Sequence, residues 1–246
     1  DRMTSPVVTV QVSTPLEELV ALFEERSISG VPVLEGDRLV GVVSTTDVVR
    51  SALRDGASRA TAGSLMSSPP LVTAPGDALD EAARRLVAGR VHRLVVTEGD
   101  RAVGMLSARD VLAQVVHRRL TTPISEIMTT PVETVELGAP TSEAIRALAS
   151  ANVHGLVVVD GMAPVGVFTH REALAARKLP PDLKELPVEE VMSYETICLD
   201  VSTPIFRAAA YGVAMNVRRF LAVEHRHLVG VLSSVDLVGV LARAPA

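Results

Sequence analysis

The feature that most constrains this chain is a fixed internal period. A short apolar strand runs into a hydroxyl and then an acid at Gly41-Val42-Val43-Ser44-Thr45-Thr46-Asp47. The same corner returns at Gly104 to Asp110, Gly166 to Glu172 and Gly230 to Asp236. Its acids lie 63, 62 and 64 residues apart, and Met3, Met66, Met128 and Met192 repeat with the same spacings. In every copy the Met precedes the Gly by 38 residues, and the Gly precedes the acid by 6. Length therefore varies between copies and not inside them, which identifies four copies of one structural unit.

Each copy reads as β-α-β-β-α. In the first, Val7 to Val10 is a short apolar strand, and Thr14-Pro15 opens a helix with Pro at its first position and Glu17 placed for a capping box. Leu16, Leu19, Val20 and Phe23 recur on one helical face. Val31 to Leu34 is a buried strand, Glu35-Gly36-Asp37 a turn, and Leu39 to Ser44 its hairpin partner. A closing helix runs from Thr46 to about Leu53. Strands this rich in Val and Leu need cover on both faces, which one small unit does not provide, so the units must pack on one another. The expected boundaries are 1–60, 61–122, 123–186 and 187–246.

Composition narrows the function. Hydrophobic residues make up 48% and charged residues 22% of 246, in the globular range. A net charge of −5 and an aromatic content of 2% leave neither a phosphate-binding footprint nor base-stacking platforms, so nucleic acid is not expected as a partner. The single cysteine, Cys198, suits a reducing compartment and is expected in the core of its apolar strand. No apolar run reaches membrane length and no signal peptide is visible, so a soluble, cytoplasmic protein is expected. The first copy has two residues before Met3 where the third has Ile124-Ser125-Glu126-Ile127, and an upstream segment is expected to be missing. No nucleophile-and-base order, P-loop or dinucleotide fingerprint is present, so no catalytic residue is assigned. His225-x-His227 in the last hairpin has no further ligand placed beside it, and no metal site is assigned.

The sequence resembles proteins of four cystathionine-β-synthase (CBS) domains arranged as two tandem Bateman modules. The resemblance rests on the openings Met3-Thr4-Ser5-Pro6 and Met128-Thr129-Thr130-Pro131, on Ser29-Gly30-Val31-Pro32-Val33, and on the fourfold Gly-x-x-Ser/Thr-x-x-Asp/Glu. It implies an α/β (α+β) fold with the units packed as two pseudo-symmetric pairs in a disc, formed by one chain or completed by a homodimer. It also implies adenosine ligands in clefts between paired domains, with no cofactor beyond the regulatory ligand.

On this resemblance Asp47, Asp110, Asp236 and Glu172 would bind a ribose diol, since a carboxylate accepts two charge-assisted hydrogen bonds. The hydroxyls of Ser44, Ser107, Thr169 and Ser233 would bond ribose or phosphate. In the middle of each unit the aligned residues are Ser29-Gly30, His92-Arg93, His154-Gly155 and Arg218-Arg219. The second of these resembles a phosphate-contacting segment in the gamma subunit of AMP-activated protein kinase. His92, Arg93, His154, Arg218 and Arg219 are therefore the expected phosphate ligands, and Ser29, Gly30, Val31, Pro32, Gly155 and Leu156 the expected adenine wall. Asp47 would face the His92-Arg93 strand, Asp110 the Ser29 strand, Asp236 His154-Gly155, and Glu172 Arg218-Arg219. The longer Glu172 is expected to swing away from the diol or to pair with Arg171 or Arg218.

The functional expectation is a non-enzymatic sensor of adenine nucleotides that reports to an effector protein or a fused domain. S-adenosylmethionine or a related nucleoside is a second possible ligand. A scaffold with degenerate sites is a third possibility.

Overall fold

A computed structural model of the chain describes residues 3–52, 59–151, 153–176 and 185–243. The first copy comprises β1 (Val10–Gln11), α1 (Leu16–Glu25), β2 (Gly30–Glu35), β3 (Arg38–Ser44) and α2 (Thr45–Ala52). A four-residue helix, α3 (Ala62–Leu65), leads to β4 (Val72–Thr73), α4 (Leu79–Ala88), β5 (Arg93–Glu98), β6 (Arg101–Ser107) and α5 (Ala108–Arg118). The third copy has β7 (Thr134–Glu136), α6 (Thr141–Ser150), β8 (Gly155–Asp160), β9 (Ala163–Thr169) and α7 (His170–Ala176). The fourth has β10 (Cys198–Asp200), α8 (Ile205–Ala214), β11 (Arg219–Glu224), β12 (His227–Ser233) and α9 (Ser234–Arg243).

Every copy builds one three-stranded sheet with its middle strand second in sequence. The first strand joins the second in parallel across the helical crossover, and the second and third form an antiparallel hairpin. The mixed α+β order expected from the repeat is present in all four copies. Three hairpins turn on a glycine of positive φ, Gly36, Gly99 and Gly161, whereas the fourth places His225 and Arg226 there. Glycine carries no Cβ penalty in that region, so the fourth turn is the strained one.

The chain divides into two compact units, each made of alternate copies. Unit 1 holds residues 1–7, 71–132 and 196–246, thus the bodies of copies two and four; unit 2 holds 8–70 and 133–195, thus copies one and three. Each has its own apolar core. In unit 1, Leu86 of α4, Leu112 of α5, Ala208 of α8 and Leu237 of α9 close against Leu94 and Phe220 of the middle strands. In unit 2, Leu19, Val48, Leu148 and Leu174 of α1, α2, α6 and α7 close against Val31, Val33, Leu156 and Phe168. Burying side chains of this size contributes about 1.5–3 kcal/mol each, so the shared helical layer is what joins two copies into one body.

The segment around each methionine docks on a hairpin glycine. An added Cβ on Gly41 would stand 2.5 Å from Met66 Sδ, and on Gly104 2.5 Å from Met3 Sδ. Gly166 meets Met192 and Gly230 meets Met128 in the same way. Copies one and two have therefore exchanged their leaders, as have copies three and four. Only a residue without Cβ lets the thioether lie against the strand.

This exchange corrects the expected start of α1. The helix begins at Leu16 with Pro15 at the cap position, and no side chain caps it. Thr14 Oγ1 instead accepts from the Gln11 N–H at 3.1 Å. The Leu16 N–H donates to the Ala60 carbonyl at 2.9 Å, so the incoming leader satisfies a helix end for which a capping box was expected. Leu53, the expected end of the closing helix, lies outside the described residues.

Candidate functional site

All four strand-to-helix corners share one hydrogen-bond pattern. Asp47 Oδ2 accepts from Ser44 N–H at 2.8 Å and Ser44 Oγ–H at 2.6 Å. Asp110 Oδ2 accepts from Ser107 N–H at 2.7 Å and its hydroxyl at 2.5 Å. Asp236 repeats this with Ser233 at 2.7 and 2.6 Å. Glu172 Oε2 takes the Thr169 N–H at 2.9 Å together with the Thr169 hydroxyl. The acid is thus the third residue of its helix, reaching back to the last residue of the strand as a reciprocal cap.

Two expectations change here. Glu172 does not swing away, because its extra methylene is absorbed and the carboxylate reaches the same two donors. The four hydroxyls spend their proton on the acid, so each offers a ligand only its lone pairs while this bond stands. In every corner one oxygen makes the cap and the other stays outside it. The carboxylates are half-buried, which leaves that second oxygen the sole cap-independent acceptor of the corner.

The mid-unit residues stand beside the corner of their own copy. Register pairs Gly30 with Ser44, Arg93 with Ser107, Gly155 with Thr169 and Arg219 with Ser233. The first N–H of the closing helix also donates to the carbonyl one residue before that strand, from Ala108 to His92 at 2.9 Å and from Ser234 to Arg218 at 3.0 Å. The oppositions expected from the resemblance, such as Asp47 with His92-Arg93, join residues of different units. Within a unit each corner meets another copy.

In unit 1 that meeting gathers cations. Burial holds the Arg93 guanidinium down at about 10, with repulsion from Arg218 and Arg109 adding to it and Asp110 opposing it. Arg218 is held low first by partial burial and then by Arg109, again against Asp110. Three guanidinium charges therefore sense one another around one carboxylate, which leaves two positive charges for an anion to neutralise. The α5 N-terminus points its partial positive charge to the same corner.

In unit 2 the corresponding places are neutral or small. Thr46 Oγ1 stands 3.5 Å from His154 Nδ1, at the outer limit of a hydrogen bond. His154 meets the buried His170 edge-on, with ring centroids 6.2 Å apart. Gly30 and Gly155 occupy the positions of Arg93 and Arg219, and Ser29 that of His92. Arg171 is the one arginine at these places, and it is exposed.

Other expected residues are sorted by strand parity. Val31 and Leu156 are each 1% exposed and fill the unit 2 core, so their side chains offer no wall to adenine. Gly30, Pro32 and Gly155 alternate onto the opposite side of their strands. Cys198 is exposed on β10 while Leu199 beside it enters the core, contrary to the expectation that the cysteine is core. Among the described residues no three His, Cys, Asp or Glu side chains gather to hold a metal, and no helix is long and apolar enough to cross a membrane.

Arg109 is a functional candidate that sequence reasoning missed. The place it occupies is filled by Thr46, Arg109, Arg171 and Val235 in turn, so a search for shared residues discards it. Its signal was position: the second residue of a capped helix, next to the acid.

Comparison with known proteins agrees with this architecture. The CBS domain family model matches residues 1–54, 62–117, 124–178 and 188–243. Protein MJ1225 from Methanocaldococcus jannaschii, described as a candidate archaeal homolog of g-AMPK, shares the fold with a TM-score of 0.87 at 15% identity, over 98% of both chains. An uncharacterized conserved protein from Pyrococcus horikoshii gives 0.68 at 20% identity, over 98% of this chain and 97% of that one. An uncharacterized 33.4 kDa protein in the ribosomal RNA operon of Thermofilum pendens is 29% identical over 67% of this chain and 59% of its own length. Protein MJ1404 of M. jannaschii is 24% identical over 98% of this chain and 61% of its own. The chain thus spans about three fifths of the length of these curated relatives. With four model matches in register with four β-α-β-β-α copies, the chain belongs to the CBS domain family.

Proposed function

We propose that this chain is a regulatory sensor of adenine nucleotides that performs no chemistry on them. The observation that carries the reading is the convergence of Arg93, Arg109 and Arg218 on the Asp110 corner in unit 1. A carboxylate oxygen outside the cap suits a ribose hydroxyl, and arginines that repel one another suit a phosphate group. The ligand stabilises the arrangement it binds, and an effector protein, a fused domain or a second copy of the chain reads that shift in population.

A second reading has its own support. Unit 2 places Gly30, Thr46, His154 and Gly155 where unit 1 has arginines, an environment suited to S-adenosylmethionine or another nucleoside without phosphate. A thermal-shift panel of AMP, ADP, ATP, S-adenosylmethionine and GTP separates the readings. A ligand at 100 times its Kd adds about 2.7 kcal/mol to the body that holds it. Stabilisation by adenine nucleotides above GTP is expected. Stabilisation by S-adenosylmethionine alone would favour the second reading, and no shift with any compound would leave a scaffold.

A further inference from the structure

Unit 1 and unit 2 present homologous contacts between copies, built from different residues. Thr46, the second residue of α2, meets His154, which precedes β8, at 3.5 Å. In unit 1 the corresponding residues are Arg109, the second residue of α5, and Arg218, which precedes β11. Two guanidinium groups do not hydrogen-bond each other, since neither has an acceptor. Their shared place is therefore complete only when an anion with several acceptor oxygens lies between them. A threonine hydroxyl and an imidazole do satisfy each other, and they need no such ion.

We propose that the second helical residue of the corner is the specificity determinant of each unit. Arg109 with Arg218 makes unit 1 a polyphosphate grip, whereas Thr46 with His154 makes unit 2 a place for an uncharged nucleoside portion. The inference rests on the nucleotide-sensor reading for the identity of the base, though not for the anion. Two guanidinium forks from two copies span more than a single phosphate needs, so the grip favours a di- or triphosphate chain over a monophosphate. Arg93, beneath the pair on β5, supplies a third positive charge.

The test exchanges the two residues in the full chain. Titration calorimetry with ATP, adenosine and inorganic tripolyphosphate is run on wild type, Arg109→Thr and Thr46→Arg, with thermal melts to show that each variant is folded. Arg109→Thr should weaken ATP and tripolyphosphate at least tenfold and change adenosine less than twofold. Thr46→Arg should add or strengthen a tripolyphosphate site. Arg109→Lys, which keeps the charge without the fork, should fall between wild type and Arg109→Thr for tripolyphosphate. Equal weakening of adenosine and ATP by Arg109→Thr, or no effect on tripolyphosphate, would overturn the inference. If the wild type binds tripolyphosphate through Arg109 but no adenosine, the anion grip stands and the nucleotide-sensor reading fails.

Discussion

Unit 1 and unit 2 hold the same elements in the same order and close the same corner in the same way. At the matching positions beside those corners, unit 1 has Arg93, Arg109, Arg218 and Arg219, while unit 2 has Arg171 alone. The cap geometry is thus the part of the corner that the fold requires, because it satisfies helix N–H groups wherever it occurs. Residues around the cap vary without disturbing it, and that is where a ligand preference can be written. The exchanged leaders differ too. In unit 2 a Cβ on Gly41 or Gly166 would meet a backbone carbonyl at 2.9 Å, of Ser67 and Ser193 respectively. In unit 1 the Thr4 carbonyl is 3.2 Å from the Gly104 site, and the nearest atoms to Gly230 are all of the Met128 side chain. Unit 2 is the tighter body at its straps.

The largest effect follows from that difference. Gly41→Ala and Gly166→Ala should each cost about 2–3 kcal/mol, because a carbonyl cannot move aside as a side chain can. Gly230→Ala should cost about 1 kcal/mol or less, since the Met128 thioether can change rotamer. Urea midpoints of the single variants measure this order. Equal costs at all four glycines would remove the distinction between the straps.

Next in size is the loss of the corner acids. Asp47→Ala removes a cap and should cost about 1 kcal/mol. Asp110→Ala removes the same cap and also the one carboxylate that opposes Arg93 and Arg218, so about 2 kcal/mol is expected. The excess should shrink in high salt, as screening weakens the repulsion left behind. If Asp47 and Asp110 prove equivalent in urea titrations at low salt, the arginines are not coupled to the corner.

A smaller effect sharpens the electrostatic contrast. Arg218→Ala relieves repulsion in the unliganded protein, so its stability should stay within about 0.5 kcal/mol of wild type. Stabilisation by tripolyphosphate should nevertheless be lost in a thermal melt. The depressed Arg93 still titrates only near pH 10, below which it carries its full charge. Its burial therefore disfavours folding at neutral pH and is relieved only as pH rises through that value, so anion binding should be flat from pH 7 to about 9.

The smallest effect lies at low pH. Asp77 is held below its ordinary 3.8 by the Ala74 N–H first, then by the Thr73 hydroxyl and Arg85. Arg84 and Arg85 lower Glu81, and Ser202 lowers Asp200. A depressed carboxylate gives stability that is present above its unfolded value and lost as pH falls through the folded one. Hydrogen exchange of the α4 and β10 peptides should therefore rise below pH 3.8. Unchanged protection there would show that these exposed groups contribute nothing measurable.

How much of this was legible depends on whether the signal was local. The hairpin turn at Gly36, the alternation that buries Val31 and Val33, and the helical face of Leu16, Leu19 and Phe23 all follow from neighbours in sequence, and they stand as expected. The leader exchange was not legible. Met3 lies 38 residues before Gly41 and Met66 lies 38 before Gly104, so the period assigns each methionine to its own copy. Identical copies offer identical docking surfaces, and only the path of the connecting chain decides which one is used. The α1 cap failed for the same reason, since a distant carbonyl replaced a local hydroxyl. At the site, the four acids were legible because they repeat. Arg109 was not, because the place that distinguishes copies is the place that a repeat search averages away.

The central claim is that unit 1, and not unit 2, receives the phosphates. Arginine footprinting with phenylglyoxal, read peptide by peptide by mass spectrometry with and without ATP or adenosine, tests it directly. Arg171 is an internal control, because it occupies in unit 2 the corner position that Arg109 occupies in unit 1. ATP should protect Arg109 and Arg218 at least fivefold, leave Arg171 unprotected, and give no such pattern when adenosine replaces it. Protection of Arg171 equal to that of Arg109, or saturating ATP that shields neither Arg109 nor Arg218, would contradict the assignment of the two units.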